Sequence, residues 1–286
     1  MRNFYIVANK EKDPDGINEN IIAGILKELG AECRCQDFNV QEEAKEKGCR
    51  YTNPDYVPEN TECVIILGGD GTLIQAAIDL NEKNLPLLGI NIGTMGFLTD
   101  TDMSTARETL ENVVNDRFEI DLRMMLDGSI YRNGEVIYKN IALNDIVINR
   151  CGILRVIDFD VSVNDEYLSS YSADGVIVAT ATGSTAYSLS AGGPILQPNA
   201  KLIMVTPICP HTLNKRSIIF GAEDTIIIEM KNNKTSTEER IASFDGERFF
   251  QVVTGDRIVI KKSDRVSKFV KTNKTSFLQR VREKMM

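Results

Sequence analysis

Cys63-Val64-Ile65-Ile66-Leu67-Gly68-Gly69-Asp70-Gly71-Thr72 joins an unbroken apolar run to three glycines, one acid and the start of a second apolar pattern, Leu73 to Leu80. The run reads as a strand buried on both faces and the second pattern as a helix, so the glycines occupy a strand-to-helix turn. In an open α/β sheet, ligands collect at the carboxyl ends of the strands, where N–H groups at a helix N-terminus attract phosphate oxygens. Gly68, Gly69 and Gly71 lack the side chains that would block that approach. An acid among them repels phosphate unless it accepts a proton or holds a metal ion. Asp70 is therefore the catalytic candidate, with Gly68, Gly69, Gly71 and Thr72 as its nucleotide-binding frame. The plainer reading of the same residues is a tight turn with Asp70 as helix N-cap.

Outward from this stretch, Phe4 to Ala8 and Leu87 to Ile90 read as further strands. Ile17 to Leu29, stopped by Gly30, reads as a helix, as does Met103 to Val114 with a Thr105/Glu108 capping box. Strands alternating with helices predict an α/β domain with a parallel sheet over residues 1–118. From Glu119 the pattern changes to short strands: Glu119 to Leu126, Ser129 to Tyr138 with a turn at Arg132-Asn133-Gly134, Ile141 to Asn149, Val156 to Asn164 and Gly175 to Ala179. Five more follow between Leu202 and Lys261. This predicts a mostly β, sandwich-like domain over 119–265, with Lys231 to Arg240 as an exposed hairpin loop. Residues 266–286 are left as a basic tail ending in a helix that packs back on the body.

Composition narrows the function. A 286-residue chain with 42% apolar residues and 8 prolines is long enough for two cores. Apolar runs such as Val64 to Leu67 are too short to cross a bilayer, and no signal-peptide pattern opens the chain. Six cysteines without C-x-x-C spacing and a single histidine, His211, give no zinc pattern and suit reduced thiols in the cytoplasm. The net charge of −8 argues against a nucleic-acid backbone as main partner, although nine Lys or Arg against two acids from Lys261 onward leave a solvated face or an anion-binding tail open.

A second glycine-rich stretch, Gly89-Ile90-Asn91-Ile92-Gly93-Thr94-Met95-Gly96-Phe97-Leu98, follows a strand as the first does. Phe97 faces either a ligand's ring or the core. Asp174-Gly175 precedes Thr182-Gly183-Ser184-Thr185-Ala186-Tyr187-Ser188-Leu189-Ser190, which runs on to Gly192-Gly193-Pro194. That run is too polar for a core helix and too uncharged for a surface one. Its hydroxyls and backbone groups are expected to meet a ligand's sugars and phosphates. Asn144-Asp145, ending a strand, reads as a turn or as an amide and carboxylate for ribose hydroxyls or an exocyclic amine. His211 reads as structural, with no G-x-S-x-G elbow to make a triad.

Together these motifs resemble the NAD kinase family. The resemblance rests on the GGDGT loop, Asn144-Asp145, Asp174-Gly175, the Thr182 to Ser188 run through Gly192-Gly193-Pro194, and Pro210-His211-Thr212-Leu213, in order and spacing over roughly residues 60 to 250. The GGDG loop alone is shared with lipid kinases and phosphofructokinases. The long hydroxyl and glycine run is not. The resemblance implies transfer of the γ-phosphoryl of ATP, or of polyphosphate, to the 2′-hydroxyl of the adenosine ribose of NAD, with Mg²⁺ or another divalent metal ion, giving NADP. It implies Asp70 as general base and a dinucleotide lying between two domains of a homodimer or homotetramer. Asn144 and Asp145 would hold the adenine-bearing end. Asp174, Thr182, Thr185, Ala186, Tyr187, Ser188 and Ser190 would contact riboses and amide, with Arg155 and Glu247 as further ligand positions by spacing. Asp145 stands where many members have Glu, and Leu98 where tyrosine is common.

Overall fold

The computed structural model describes residues 1–37, 40, 49–94, 96–152, 156–211, 215–232, 239–272 and 276–285. The chain forms two compact units, Met1–Arg123 with Val266–Met286, and Met124–Arg265. No helix among the described residues is long and apolar enough to cross a membrane.

The first unit contains β1 (Asn3–Ala8), α1 (Ile17–Glu28), β2 (Glu32–Cys35), β3 (Cys63–Gly68), α2 (Asp70–Asp79), β4 (Leu87–Asn91), β5 (Thr101–Asp102) and α3 (Ala106–Val114). The strands form the expected parallel sheet in the order β4-β3-β1-β2, with β5 beside β4. β1, β3 and β4 are almost wholly apolar and buried because helices cover both faces. Their carboxyl ends lie in register, Leu67 pairing with Ala8 on one side and Ile90 on the other. The loops after β1, β3 and β4 therefore leave the same edge of the sheet side by side. The Thr105/Glu108 capping box does not form: Thr105 makes no side-chain cap bond. Asp102 instead closes the turn before the helix, its Oδ1 accepting from the backbone N–H groups of Ser104 (2.9 Å) and Thr105 (3.1 Å). The Thr105 N–H that Glu108 would have capped is thereby already taken by a carboxylate three residues earlier.

The unit boundaries fall inside two long strands, β6 (Glu119–Arg132) and the last strand of the chain, Arg257–Lys271. Between them lie β7 (Glu135–Ala142), β8 (Asp145–Cys151), β9 (Ile157–Val163), β10 (Glu166–Ala173), β11 (Gly175–Thr180), α4 (Tyr187–Ser190), β12 (Leu202–Ile208), β13 (Ile218–Gly221), β14 (Ile226–Met230), β15 (Glu239–Phe244) and β16 (Arg248–Val252). The last strand is β17, followed by α5 (Phe277–Met285).

In the second unit, β13-β12-β11-β8-β15-β16 form one antiparallel sheet. β10-β9-β14-β17, with the β6–β7 hairpin, supply the other face. Phe159, Val161, Ile226 and Ile258 from one side and Ile146, Val178, Ile203 and Phe244 from the other share one buried cluster, so the sandwich-like expectation holds. Four details differ from the sequence reading, the first being that the expected strand Ile141 to Asn149 is broken after Ala142 and resumes at Asp145. β6 runs unbroken through Gly128, whose missing side chain admits Phe244: a β-carbon there would lie 2.5 Å from that ring. β10 was not foreseen, and it follows a two-residue turn, Asn164-Asp165, with both φ angles positive (52° and 64°). β13 was not foreseen either. The expected turn at Asn133-Gly134 forms, with φ of 54° and 85°. Most of the expected Lys231 to Arg240 loop lies outside the described residues.

Candidate active site

Asp70 is the first residue of α2, and Gly69 occupies the N-cap position, so the plainer N-cap reading of Asp70 does not hold. Its carboxylate turns instead to the loop after β4. Oδ2 accepts hydrogen bonds from the backbone N–H groups of Phe97 (2.5 Å) and Leu98 (3.1 Å), and Oδ1 from the N–H (3.1 Å) and hydroxyl (3.0 Å) of Thr99. Thr99 Oγ1 in turn accepts from Asn91 Nδ2 at 3.0 Å. Gly96 makes the approach possible, since a β-carbon on it would lie 1.8 Å from Asp70 Oδ1. The glycines of the first loop serve separate needs. A β-carbon on Gly68 would strike the side chain of Thr72 at 2.5 Å, while Gly71 faces open space. Thr72 is buried, and its hydroxyl accepts from Asn9 Nδ2 at 2.9 Å.

The C-terminal segment holds the same loop from behind. Arg280 Nη1 donates to the carbonyl of Phe97 (2.7 Å), and Lys271 Nζ donates to that of Leu98 (2.9 Å). Both also reach Asp100 Oδ2, at 2.8 and 3.0 Å. Burial lowers the pKa of Lys271 although Asp100 opposes the shift. The ammonium of Lys284 stands 5.2 Å from the centre of the half-buried Phe97 ring, a cation–π contact that neither of the two sequence readings of Phe97 contained.

In the second unit, Asn144 and Asp145 do not end a strand as expected: β7 stops at Ala142, Asn144 lies in the turn that follows, and Asp145 is the first residue of β8 beside the Thr182 to Ser188 turn. Thr180 donates its N–H to the Asn144 carbonyl (2.8 Å) and its hydroxyl to that of Leu143 (2.7 Å). A β-carbon on Gly183 would lie 2.2 Å from the Asn144 oxygen, so only glycine lets the turn settle there. Asp245, at the β15–β16 turn, accepts from the N–H groups of Leu143 (2.7 Å), Asn144 (2.8 Å) and Asp145 (2.9 Å). Burial, and then the neighbouring charge of Asp245, push the pKa of Asp145 up to about 8. Burial also raises Asp245, against the pull of those three donors. Two carboxylates this close and this dry do not both ionise readily. Asp245 has the donors to hold a charge, so of the two Asp145 keeps its proton more readily. Asn144 Oδ1 is buried without a hydrogen-bond partner among the described residues.

Asp174 is half-buried and accepts from Arg150 Nε at 2.6 Å. Thr182 is buried, and Thr185, half-buried, donates its hydroxyl to the Thr182 carbonyl (3.3 Å). Ala186 leads into α4, on which Tyr187 and Ser190 are exposed. Ser188 is fully buried with its hydroxyl 3.2 Å from that of Thr206. Glu247 is exposed at the tip of the Asp245 turn. Arg155 and the Thr212-Leu213 part of the Pro210 motif lie outside the described residues. Thr99, Gly96, Asn9 and Asp245 were missed as site residues. Asp245-Gly246 gave a local signal, a positive-φ turn pair (49° and 74°), but no sign of what its carboxylate faces.

Two family models match the chain, that of the ATP-NAD kinase N-terminal domain over residues 17–118 and that of the ATP-NAD kinase C-terminal domain over residues 143–272. An NAD kinase of Lachnospira eligens is 62% identical over an alignment of 295 positions that covers all of both chains. One of Lachnoclostridium phytofermentans is 41% identical over 99% of each. Among solved structures, yeast NADH kinase complexed with NADH superposes with a TM-score of 0.82 at 26% identity, over 100% of this chain and 87% of that one. An NAD kinase from Archaeoglobus fulgidus in complex with ATP gives 0.75 at 26% identity, over 96% and 95%.

Proposed function

The chain belongs to the NAD kinase family, enzymes that phosphorylate NAD with ATP, and on that premise we propose that Asp70 is the base that activates the 2′-hydroxyl of the adenosine ribose. The O2′ oxygen forms a bond to the γ-phosphorus of ATP, the β–γ bridging bond breaks with its electron pair on ADP, and Asp70 takes the hydroxyl proton; the product is NADP. The observation that carries this reading is the Asp70 carboxylate itself, set in a glycine frame at the carboxyl edge of a parallel sheet and fixed in orientation by four donors from one loop. Those donors fill about four lone-pair sites. The ribose hydroxyl therefore enters by exchange with one of them, and the rotatable hydroxyl of Thr99 is the donor most easily turned away.

Among the described residues no three His, Cys, Asp or Glu converge on a metal position. Mg²⁺ enters this reading as MgATP, where it would neutralise the phosphates of the donor. In the second unit, the unsatisfied Asn144 Oδ1 wants a donor, as buried acceptors do, and the hydroxyls and amines at the adenosine end of NAD supply one. Asp145 joins it there, with Asp174, Thr182, Thr185, Ala186, Tyr187, Ser188, Ser190, Arg155 and Glu247 as the wider contact set. A cytoplasmic homodimer or homotetramer belongs to the same reading and rests on the family resemblance.

The test is NADP formation from NAD and MgATP, with ³¹P NMR of the product to locate the phosphate on O2′, run beside Asp70→Asn. The variant is expected to lose about 10²- to 10⁴-fold in turnover while still binding NAD. Because an asparagine NH₂ would face two of the four donors, a melting curve must show that the loop survives. A folded Asp70→Asn protein with wild-type turnover would remove Asp70 from the mechanism.

A further inference from the structure

We propose that Lys12 is a catalytic residue of the phosphoryl transfer, its ammonium binding the transferring phosphoryl group of the donor beside Asp70; the inference rests on the reading of Asp70 given above. The residue sits on the loop after β1, the third of the loops that leave the same edge of the parallel sheet. A β-carbon on Gly69 would lie 3.0 Å from Lys12 Nζ, and one on Gly93 would lie 3.3 Å from it. The ammonium thus hangs over both glycine-rich loops at once, one residue from Asp70 on the first, where the missing side chains at 69 and 93 leave it room.

The loop that carries it is fixed while the charge is not. Asn9 Nδ2 is bonded to the Thr72 hydroxyl, and the Asn9 carbonyl accepts from the N–H groups of Lys12 (3.0 Å) and Asp13 (2.9 Å). Buried Asp13 accepts in turn from the N–H groups of Asn18 (3.1 Å) and Glu19 (3.0 Å) at the start of α1. Three other cations of this unit are engaged: Lys10 with Glu19 at 2.7 Å, and Lys271 and Arg280 with Asp100. Lys12 is exposed, and its ammonium has no hydrogen bond or ion pair among the described residues. An exposed lysine without a partner is common on any surface. One held between two glycine loops at the ligand edge of the sheet is not accounted for by folding.

In phosphoryl transfer the charge is spread over the three non-bridging oxygens of the γ-phosphoryl, and catalysis is positioning and charge neutralisation. Lysine supplies a compact charge suited to that task. Lys12 takes no part in the proton transfer: the new bond is O2′ to phosphorus, the broken one is the β–γ bridge, and the hydroxyl proton goes to Asp70.

The experiment is steady-state kinetics of Lys12→Gln and Lys12→Arg, with Lys10→Gln as a nearby control, and titration of NAD and of MgATP separately onto each protein. Lys12→Gln is expected to lower kcat/KM for MgATP by about 10- to 100-fold, the scale of one charged hydrogen bond, and to leave NAD binding within twofold. Lys12→Arg should recover part of the loss, and Lys10→Gln should stay near wild type. A kcat/KM for MgATP within threefold of wild type would overturn the proposal, as would a loss confined to NAD binding, which would put the ammonium on the NAD pyrophosphate. If the wild type itself forms no NADP, the proposed reaction has failed, and MgATP binding to wild type against Lys12→Gln still decides whether the ammonium holds donor phosphates.

Discussion

Replacing Gly96 with alanine puts one methyl group against the carboxylate of Asp70. The β-carbon would lie 1.8 Å from Oδ1, 2.0 Å from Cγ and 2.1 Å from Oδ2, whereas β-carbons essentially never approach other atoms below 3.0 Å. Either Asp70 or the Phe97 to Thr99 loop must move by at least the difference, 3.0 − 1.8 = 1.2 Å. A shift of that size stretches hydrogen bonds that now measure 2.5 to 3.1 Å past useful length, and water replaces them only in part. Losing the net worth of two such bonds to a charged acceptor costs about 3 to 6 kcal/mol before relaxation. Misplacing a reacting group by about 1 Å costs roughly 10²-fold in rate. The backbone at Gly96 is not in the left-handed region, so conformational strain does not confuse the result. Gly96→Ala is therefore expected to remain folded, to melt several degrees lower, and to form NADP about 10²-fold more slowly at saturating substrates. Turnover within threefold of wild type with an unchanged melting temperature would mean that Asp70 is not clamped as described, and the argument from its fixed orientation would fall.

Two other perturbations read separate parts of the structure. Asp145 has its folded pKa raised to about 8 from an unfolded value near 3.9, so the folded state holds an extra proton between those limits. Its contribution is fully present below about pH 4 and is lost as pH rises toward 8; stability to denaturant should fall from pH 5 to pH 9, and Asp145→Asn should flatten that slope, with equal slopes refuting the assignment of the proton. Arg280→Gln removes two charge-assisted hydrogen bonds from a nearly buried side chain (13% exposed) and should cost about 3 kcal/mol, with a fall of about tenfold in turnover as the loop facing Asp70 loosens. Lost stability at unchanged turnover would make the C-terminal helix a structural brace with no hold on the site.

The parallel sheet was legible because burial on both faces leaves its mark on every residue, as in Cys63 to Leu67, and because Gly30 and Gly68 to Gly71 punctuate it. β10 escaped because Glu166 to Ala173 is rich in serine and its preceding turn is Asn-Asp, a weaker signal than Asn-Gly. The basic tail was legible as charge but not as purpose. Its cations at 271 and 280 are spent on Asp100 and on the carbonyls of Phe97 and Leu98, partners more than 170 residues away. The same limit governs the site. Sequence identified Asp70 as an acid among glycines, yet its four donors lie 27 to 29 residues on and look like an ordinary loop. Gly68, Gly69 and Gly71 read alike as room for phosphate. In the structure Gly68 makes room for Thr72, Gly69 adjoins the ammonium of Lys12, and Gly71 faces open space. What a glycine is for depends on what stands opposite it, and that is a property of the folded chain. The motif therefore locates the chemistry, and tertiary contacts decide which of its residues bind a nucleotide and which only allow the loop to close.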